Sequence, residues 1–249
     1  MTASPEPPPL NGLLIIDKQP GFTSMDVCAL LRTRLRRGGA PKRVKVGHAG
    51  TLDPMATGVL VVLIGRATRL CDTLMTHEKE YEATIDLAHR SDTDDAEGDI
   101  TPAPMSEPLP TREAVLAALA TFVGVIAQRP PAFSALKVGG KRAYALAREG
   151  AAPVLQPRPV TIHCLSLLEY AWPFARVHVR CGKGTYIRSL ARDLGEALGA
   201  GGMLTALRRT RVGEFDLTRA LTLNQVPDVL TQSDLLLPPP GAAAQSSSS

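Results

Sequence analysis

No apolar run in the chain approaches the ~20 residues needed to cross a bilayer. The longest, Val59-Leu60-Val61-Val62-Leu63-Ile64, has the length and β-branched content of a buried strand. No basic stretch followed by an apolar one stands at the N-terminus, so it does not read as a secretory leader, and a cytoplasmic protein is expected. Cysteine is sparse, with only Cys28, Cys71, Cys164 and Cys181. None forms a Cys-x-x-Cys pair, and no histidine stands at zinc-ligand spacing from them. Reduced thiols are therefore expected, with neither a disulfide nor a structural metal. The histidines (His48, His77, His89, His163 and His178) form no metal pattern of their own.

Other signatures are missing as well. Cys181-Gly182-Lys183-Gly184-Thr185 looks superficially like a phosphate loop but lacks Walker A spacing, and no Gly-x-Gly-x-x-Gly is present. This disfavours a nucleotide-binding module. The absence of a Gly-x-Ser-x-Gly elbow removes support for a serine hydrolase. The acidic stretch Ser91–Asp99 fails as a calcium loop. With Gly98 in sixth place, Thr93 would be first and Pro104 twelfth, so a solvated turn is expected. There is no internal repeat.

What is present is a chain of 249 residues, 44% hydrophobic, enough for one substantial domain with a real core. The net charge of +4 is modest, but its distribution is uneven. Residues 32–45 carry Arg32, Arg34, Arg36, Arg37, Lys42, Arg43 and Lys45 without an acid, and Arg208, Arg209 and Arg211 form a second cluster. Basic segments of this kind track phosphates. A Pro-rich arm over residues 1–10 and a Ser-rich tail over 236–249 are expected to be disordered.

Between these ends, strand and helix patterns mix. Gly12–Asp17 reads as a strand. Thr23 or Ser24 can cap a helix whose apolar face is Val27, Leu30, Leu31 and Leu35. A strand over Val59–Ile64 leads to a short helix near Ala67–Met75, and Lys79–Leu87 alternates as a strand. Helices are expected over Thr111–Phe122, Lys141–Arg148 and Thr185–Leu198. Antiparallel strands are expected over Pro159–Tyr170 and Ala175–Cys181, with Val177, Val179 and Cys181 on one face. Met203–Phe215 reads as extended. Strands without strict alternation with helices point to an α+β fold.

Several segments could carry chemistry. In Gly47-His48-Ala49-Gly50-Thr51-Leu52-Asp53-Pro54-Met55-Ala56-Thr57-Gly58, glycines crowd one acid into a loop just before a buried strand. Such a loop suits close ligand approach, and equally an ordinary tight turn. Arg188 falls in the first turn of a predicted helix, where the helix dipole disfavours a cation; this suggests a buried carboxylate partner. Tyr81 sits in an alternating strand.

Taken together and in order, these segments resemble the bacterial tRNA pseudouridine-55 synthase family, TruB. The resemblance rests on Gly12–Asp17 with Lys18, Pro20 and Gly21, on the Gly47–Gly58 loop, Lys79-x-Tyr81, Ser91–Asp94, Ser134–Lys137, Lys183–Arg188 and Leu207–Arg209. It spans roughly residues 11–225.

The resemblance implies a pseudouridine synthase fold, with a mixed, mainly antiparallel central sheet flanked by helices and loops, in one catalytic domain over residues 11–235. It implies isomerisation of uridine 55 in the T loop of tRNA by base flipping, with no cofactor, no metal and no obligate protein partner. Asp53 becomes the essential carboxylate, attacking base or ribose or supporting a glycal route. Tyr81 becomes the stacking platform for the base, and Arg188 the partner of Asp53. Lys18, His48, Tyr186 and Leu207 are placed around the substrate. Arg32, Arg36, Arg37, Lys42, Arg43, Lys45, Lys137, Arg208 and Arg209 are expected on the RNA backbone. The PUA-like C-terminal domain usual in the family is expected to be absent, and His89–Pro110 to be mobile without RNA. An RNA-folding factor of the same fold and a guide-complex synthase are the alternatives.

Overall fold

A computed structural model describes residues 10–104, 107–134, 136–138, 141–143 and 155–238. In chain order its elements are β1 (Asn11–Lys18), α1 (Ser24–Arg37), β2 (Val46–His48), β3 (Thr57–Gly65), α2 (Cys71–Met75) and β4 (Lys79–Asp86). There follow β5 (His89–Ser91), β6 (Ile100–Pro102), α3 (Arg112–Thr121), β7 (Gly124–Gln128), β8 (Lys137–Val138) and β9 (Lys141–Arg142). The last are β10 (Arg158–Ala171), β11 (Phe174–Cys181), α4 (Ile187–Ala197), β12 (Met203–Val212) and β13 (Phe215–Asp216). The fold is α+β, as expected. Among the described residues no helix is long and apolar enough to cross a membrane.

Two compact units emerge: Met1–His77 with Arg209–Ser249, and Glu78–Arg208. In the first, β3 is apolar along almost its whole length and pairs antiparallel with β1, Ile15 opposite Val61. Leu13, Ile15, Val59, Val61, Leu63, Leu74, Val212 and Phe215 form its core. The strand order is β1-β3-β12, with β2 on β3 and β13 on β12. Thr23 caps α1 in a reciprocal capping box with Asp26. The helix buries Ser24, Val27, Cys28, Leu31 and Leu35, and ends at Gly38 with Arg34, Arg36 and Arg37 in its last turn, where cations suit the dipole. A Cβ on Gly38 would lie 1.9 Å from the Leu230 carbonyl oxygen, so only glycine lets the chain pass there. The late part of the chain closes this unit, for the Gln232 side chain bonds both backbone groups of Asn11, at 2.9 and 3.0 Å.

In the second unit the order is β12-β4-β11-β10-β7, and the pairings of β4 with β11, β11 with β10 and β10 with β7 are antiparallel. Val177, Val179 and Cys181 are buried on one face of β11, as their alternation predicts. The other face carries a cross-strand ion pair, Arg176 with Glu82 at 2.7 Å, and places His178 Nε2 3.6 Å from a carboxylate oxygen of Glu80. The helix expected over Thr185–Leu198 is α4, which starts only at Ile187 because Tyr186 is held extended. The helix expected over Lys141–Arg148 is corrected at its start, where Lys141–Arg142 pairs with β8; residues 144–148 lie outside the described residues, as do residues 1–9 and 239–249.

The acidic stretch Ser91–Asp99 is a turn with Asp92, Glu97 and Asp99 exposed, as expected, but it is organised around one buried residue. The Ser91 hydroxyl and the Asp95 carboxylate gather Thr93 and Glu97 around a buried Asp95, and β5 pairs with β6 on either side of it. Asp94 sits at φ 61°, which lets two successive carboxylates reach two different arginines.

Candidate active site

In the first unit the candidate site is the turn between β2 and β3. Asp53 is half-buried, and the backbone around it is held residue by residue. The Ser24 hydroxyl donates to the Leu52 carbonyl at 3.0 Å and accepts from its N–H at 2.8 Å. The Arg209 guanidinium donates to the carbonyls of Gly50 at 2.9 Å, Thr51 at 3.3 Å and Val59 at 2.7 Å. Lys18 Nζ donates to the carbonyls of Gln19 at 3.0 Å, Phe22 at 2.7 Å and Pro54 at 3.1 Å. The Asp53 carbonyl itself accepts from Ala56 N–H at 3.1 Å. A loop fixed in this way holds its backbone with little conformational freedom left to lose.

One expectation is corrected here, and a second basic side chain is buried beside the same loop. Arg209, expected on the RNA backbone, is 1% exposed and directs its guanidinium into the loop. Lys18, expected beside the substrate, has no exposed surface and ties the loop to β1. Both follow from strand geometry: Arg209 shares its face of β12 with buried Leu207, and Lys18 shares its face of β1 with buried Leu14 and Ile16.

His48 lies partly buried on β2, paired with Val62, and its Nδ1 is buried without a hydrogen-bond partner. Burial first, and the Arg209 charge second, hold its pKa below the ordinary 6.5, so the imidazole is neutral at pH 7. As pH falls through about 6.5 the unfolded chain takes up this proton before the folded one does. The contribution of His48 to stability is thus complete above that pH and declines toward the folded pKa. Thermal melts of wild type and His48→Gln between about pH 7 and pH 5 should show a shallower decline for the variant; equal slopes would exclude His48 as the cause.

In the second unit Tyr81 is 8% exposed on β4, opposite Val179. Tyr186 stands immediately before α4. The buried Gln128 side chain accepts from its N–H at 2.8 Å and donates to its carbonyl at 3.1 Å, and Arg158 lies over its ring at 5.4 Å. Arg188, 6% exposed, donates to the carbonyls of Thr93 at 3.1 Å and Phe133 at 3.0 Å, and its Nη1 lies 3.4 Å from Asp95 Oδ2. The buried carboxylate that its position called for is therefore present within its own unit. Arg192 beside it pairs with Asp94 at 2.7 Å. Burial raises the Asp94 pKa, and the Arg192 and Arg188 charges oppose that rise. Leu207 is buried on β12.

The basic run is partly self-satisfied. Arg32 donates to the Val46 carbonyl at 3.1 Å, Arg36 to the Lys42 carbonyl, and Arg34 to the carbonyls of Leu223 and Val226, with Asp228 at 3.4 Å. Arg36, Arg37, Lys42, Arg43 and Lys45 are exposed, and Arg208 is half-exposed. Lys137 lies in β8, and its side chain falls outside the described residues. Ser24, Asp95 and Gln128 do not stand out in the sequence as site residues. Ser24 could have done so, because it falls on the apolar face of α1. Among the described residues no group of three His, Cys, Asp or Glu side chains is placed to hold a metal.

Comparison with known proteins adds an independent line. Residues 37–187 match the profile of the TruB family pseudouridylate synthase N-terminal domain, and residues 188–237 that of the tRNA pseudouridylate synthase B C-terminal domain. The chain is 46% identical over 221 residues to a tRNA pseudouridine synthase B of Parabacteroides distasonis, covering 89% of this chain and 94% of that one. It is 49% identical over 227 residues to one from an Arthrobacter species, covering 89% and 72%. Among solved structures, it resembles a chain of a Cbf5-Nop10-Gar1 complex with a TM-score of 0.63 at 31% identity. That likeness covers 86% of this chain but only 52% of the other, so this chain spans about half of that protein's length.

Proposed function

The chain belongs to the TruB family of pseudouridylate synthases, and on that premise we propose that it converts uridine 55 in the T loop of tRNA to pseudouridine with Asp53 as the essential carboxylate. The reaction breaks the bond from base N1 to ribose C1′, forms a bond from base C5 to C1′, releases the C5 proton and leaves N1 protonated by one taken up from solvent. Nothing is oxidised or hydrolysed, so the chemistry asks for a carboxylate, a stacking surface and control of charge. Asp53 supplies the first. Tyr81, inward on β4, offers the ring face that a flipped base requires. Arg188, held rigidly by two carbonyls and Asp95, supplies a fixed positive charge.

The observation that carries this reading is the backbone on both sides of Asp53, locked by the buried side chains of Ser24, Arg209 and Lys18. An ordinary surface turn has no such framework. The exposed part of the run from Arg36 to Lys45 is suited to phosphates of the T stem, and binding through it falls as salt rises. Action in the cytoplasm, without an obligate protein partner, completes the proposal.

The test is tritium release from a T-arm hairpin labelled at carbon 5 of its uridines. One tritium per hairpin is expected, and none from a hairpin whose target uridine is replaced by cytidine. No release by folded protein that binds the hairpin would overturn the reading.

A further inference from the structure

Arg209 is a costly residue to bury. Its side chain is almost wholly enclosed, and among the described residues it has no carboxylate partner. Its charge is met only by the carbonyl dipoles of Gly50, Thr51 and Val59. A buried charge without a counter-ion is weak evidence for stability and needs another reason to be there.

Its geometry supplies one. Val59 belongs to the rigid strand β3, whereas Gly50 and Thr51 belong to the turn, so one planar guanidinium fixes the turn against the sheet. Two glycines make this possible. Gly50, at φ 110°, takes a conformation in which side-chain-bearing residues are strained. Gly58, at φ 97°, leaves the space that the Arg209 carbonyl fills; a Cβ there would lie 2.1 Å from that oxygen. Ser24 then takes both backbone groups of Leu52, so the three residues before Asp53 are clamped in succession.

We infer that Arg209 and Ser24 are positioning residues, which set the direction of the Asp53 carboxylate through the backbone of Gly50, Thr51 and Leu52, and that Arg209 makes no contact with RNA. The inference rests on Asp53 being the essential carboxylate. Displacement of a reacting group by about 1 Å costs roughly 100-fold in rate. Lysine at position 209 would keep the charge but offers a single ammonium, which cannot reproduce a fork across three carbonyls.

The experiment measures single-turnover tritium release and hairpin dissociation constants for wild type, Arg209→Lys, Ser24→Ala and Asp53→Asn, well below each melting temperature. The expected result is a rate about 100-fold lower for Arg209→Lys and about tenfold lower for Ser24→Ala, with hairpin affinity within about twofold of wild type. A merely structural role would lower the melting temperature and leave the rate of the folded protein unchanged. Weakened hairpin binding with an unchanged saturating rate would make Arg209 an RNA contact and overturn the inference, as would wild-type rates in both variants. If Arg209→Lys does not fold, Ser24→Ala decides by the same split. Substantial activity in Asp53→Asn would sink the underlying catalytic reading. An inactive Asp53→Asn beside fully active Arg209→Lys and Ser24→Ala would sink the positioning inference alone.

Discussion

Asp53→Asn should leave a protein that folds and binds the T-arm hairpin but releases tritium at least about 10⁴-fold more slowly than wild type, a loss of about 5 kcal/mol in transition-state stabilisation. The two side chains are nearly isosteric, and Asp53 is half-buried in a turn whose shape is set by other residues. Its carbonyl bond from Ala56 N–H belongs to the backbone and survives the change. What disappears is the negative charge, and an amide is neither a nucleophile nor a base at neutral pH. The melting temperature should stay within about 2 °C, as for most changes away from the core. A variant that turns over at a tenth of the wild-type rate would show that another group carries the chemistry.

The largest stability effect is expected from Gly58→Ala. The residue stands in β3 at φ 97°, where any side chain is strained, and the new methyl would lie 2.1 Å from the carbonyl oxygen of Arg209 and 2.9 Å from its backbone nitrogen. The obstacle is main chain and cannot rotate aside. Strain of roughly 1–3 kcal/mol adds to the cost of pushing β12 off β3. A total of at least about 3 kcal/mol lowers the melting temperature by roughly 6–12 °C in a chain of this size. Gly47→Ala is the natural control, since a methyl added there would meet nothing within 4 Å and its φ is not positive. Equal melting temperatures for the two variants would show that the close approach at Gly58 is relaxed in solution.

Much of this arrangement is legible in the sequence where local periodicity governs it. The alternation of Val177, Val179 and Cys181, the cap at Thr23 and the apolar run of β3 each place their elements without outside help. The loop around Asp53 is legible as a resemblance, but composition alone does not separate it from an ordinary turn. What escapes a reading of segments is the use of distant polar residues as struts. Arg209 lies 159 residues beyond Gly50, and within Leu207-Arg208-Arg209 its charge suggests RNA. The alternation of β12 puts it inside with Leu207, a signal that the charge of the cluster overrides. Ser24 is masked similarly, because it competes with Thr23 as a helix cap while belonging to the buried face with Val27 and Leu31. Asp95 has no periodic signal at all; only the turn at Asp94 aims it at Arg188.

The first unit joins the beginning of the chain to its end, and this has a consequence for synthesis. The loop that carries Asp53 is translated early, but the guanidinium that holds it arrives only with residue 209. The 132 residues from Glu78 to Arg209 take roughly 7–26 s to polymerise at about 5–20 residues per second. Over that interval Glu78–Arg208, continuous in sequence, can fold on the ribosome while the carboxylate loop waits without its strut. On the proposed role of Asp53, the nascent chain therefore gains an aligned carboxylate only once residue 209 has been made, long after the basic run at Arg36–Lys45 has left the ribosome.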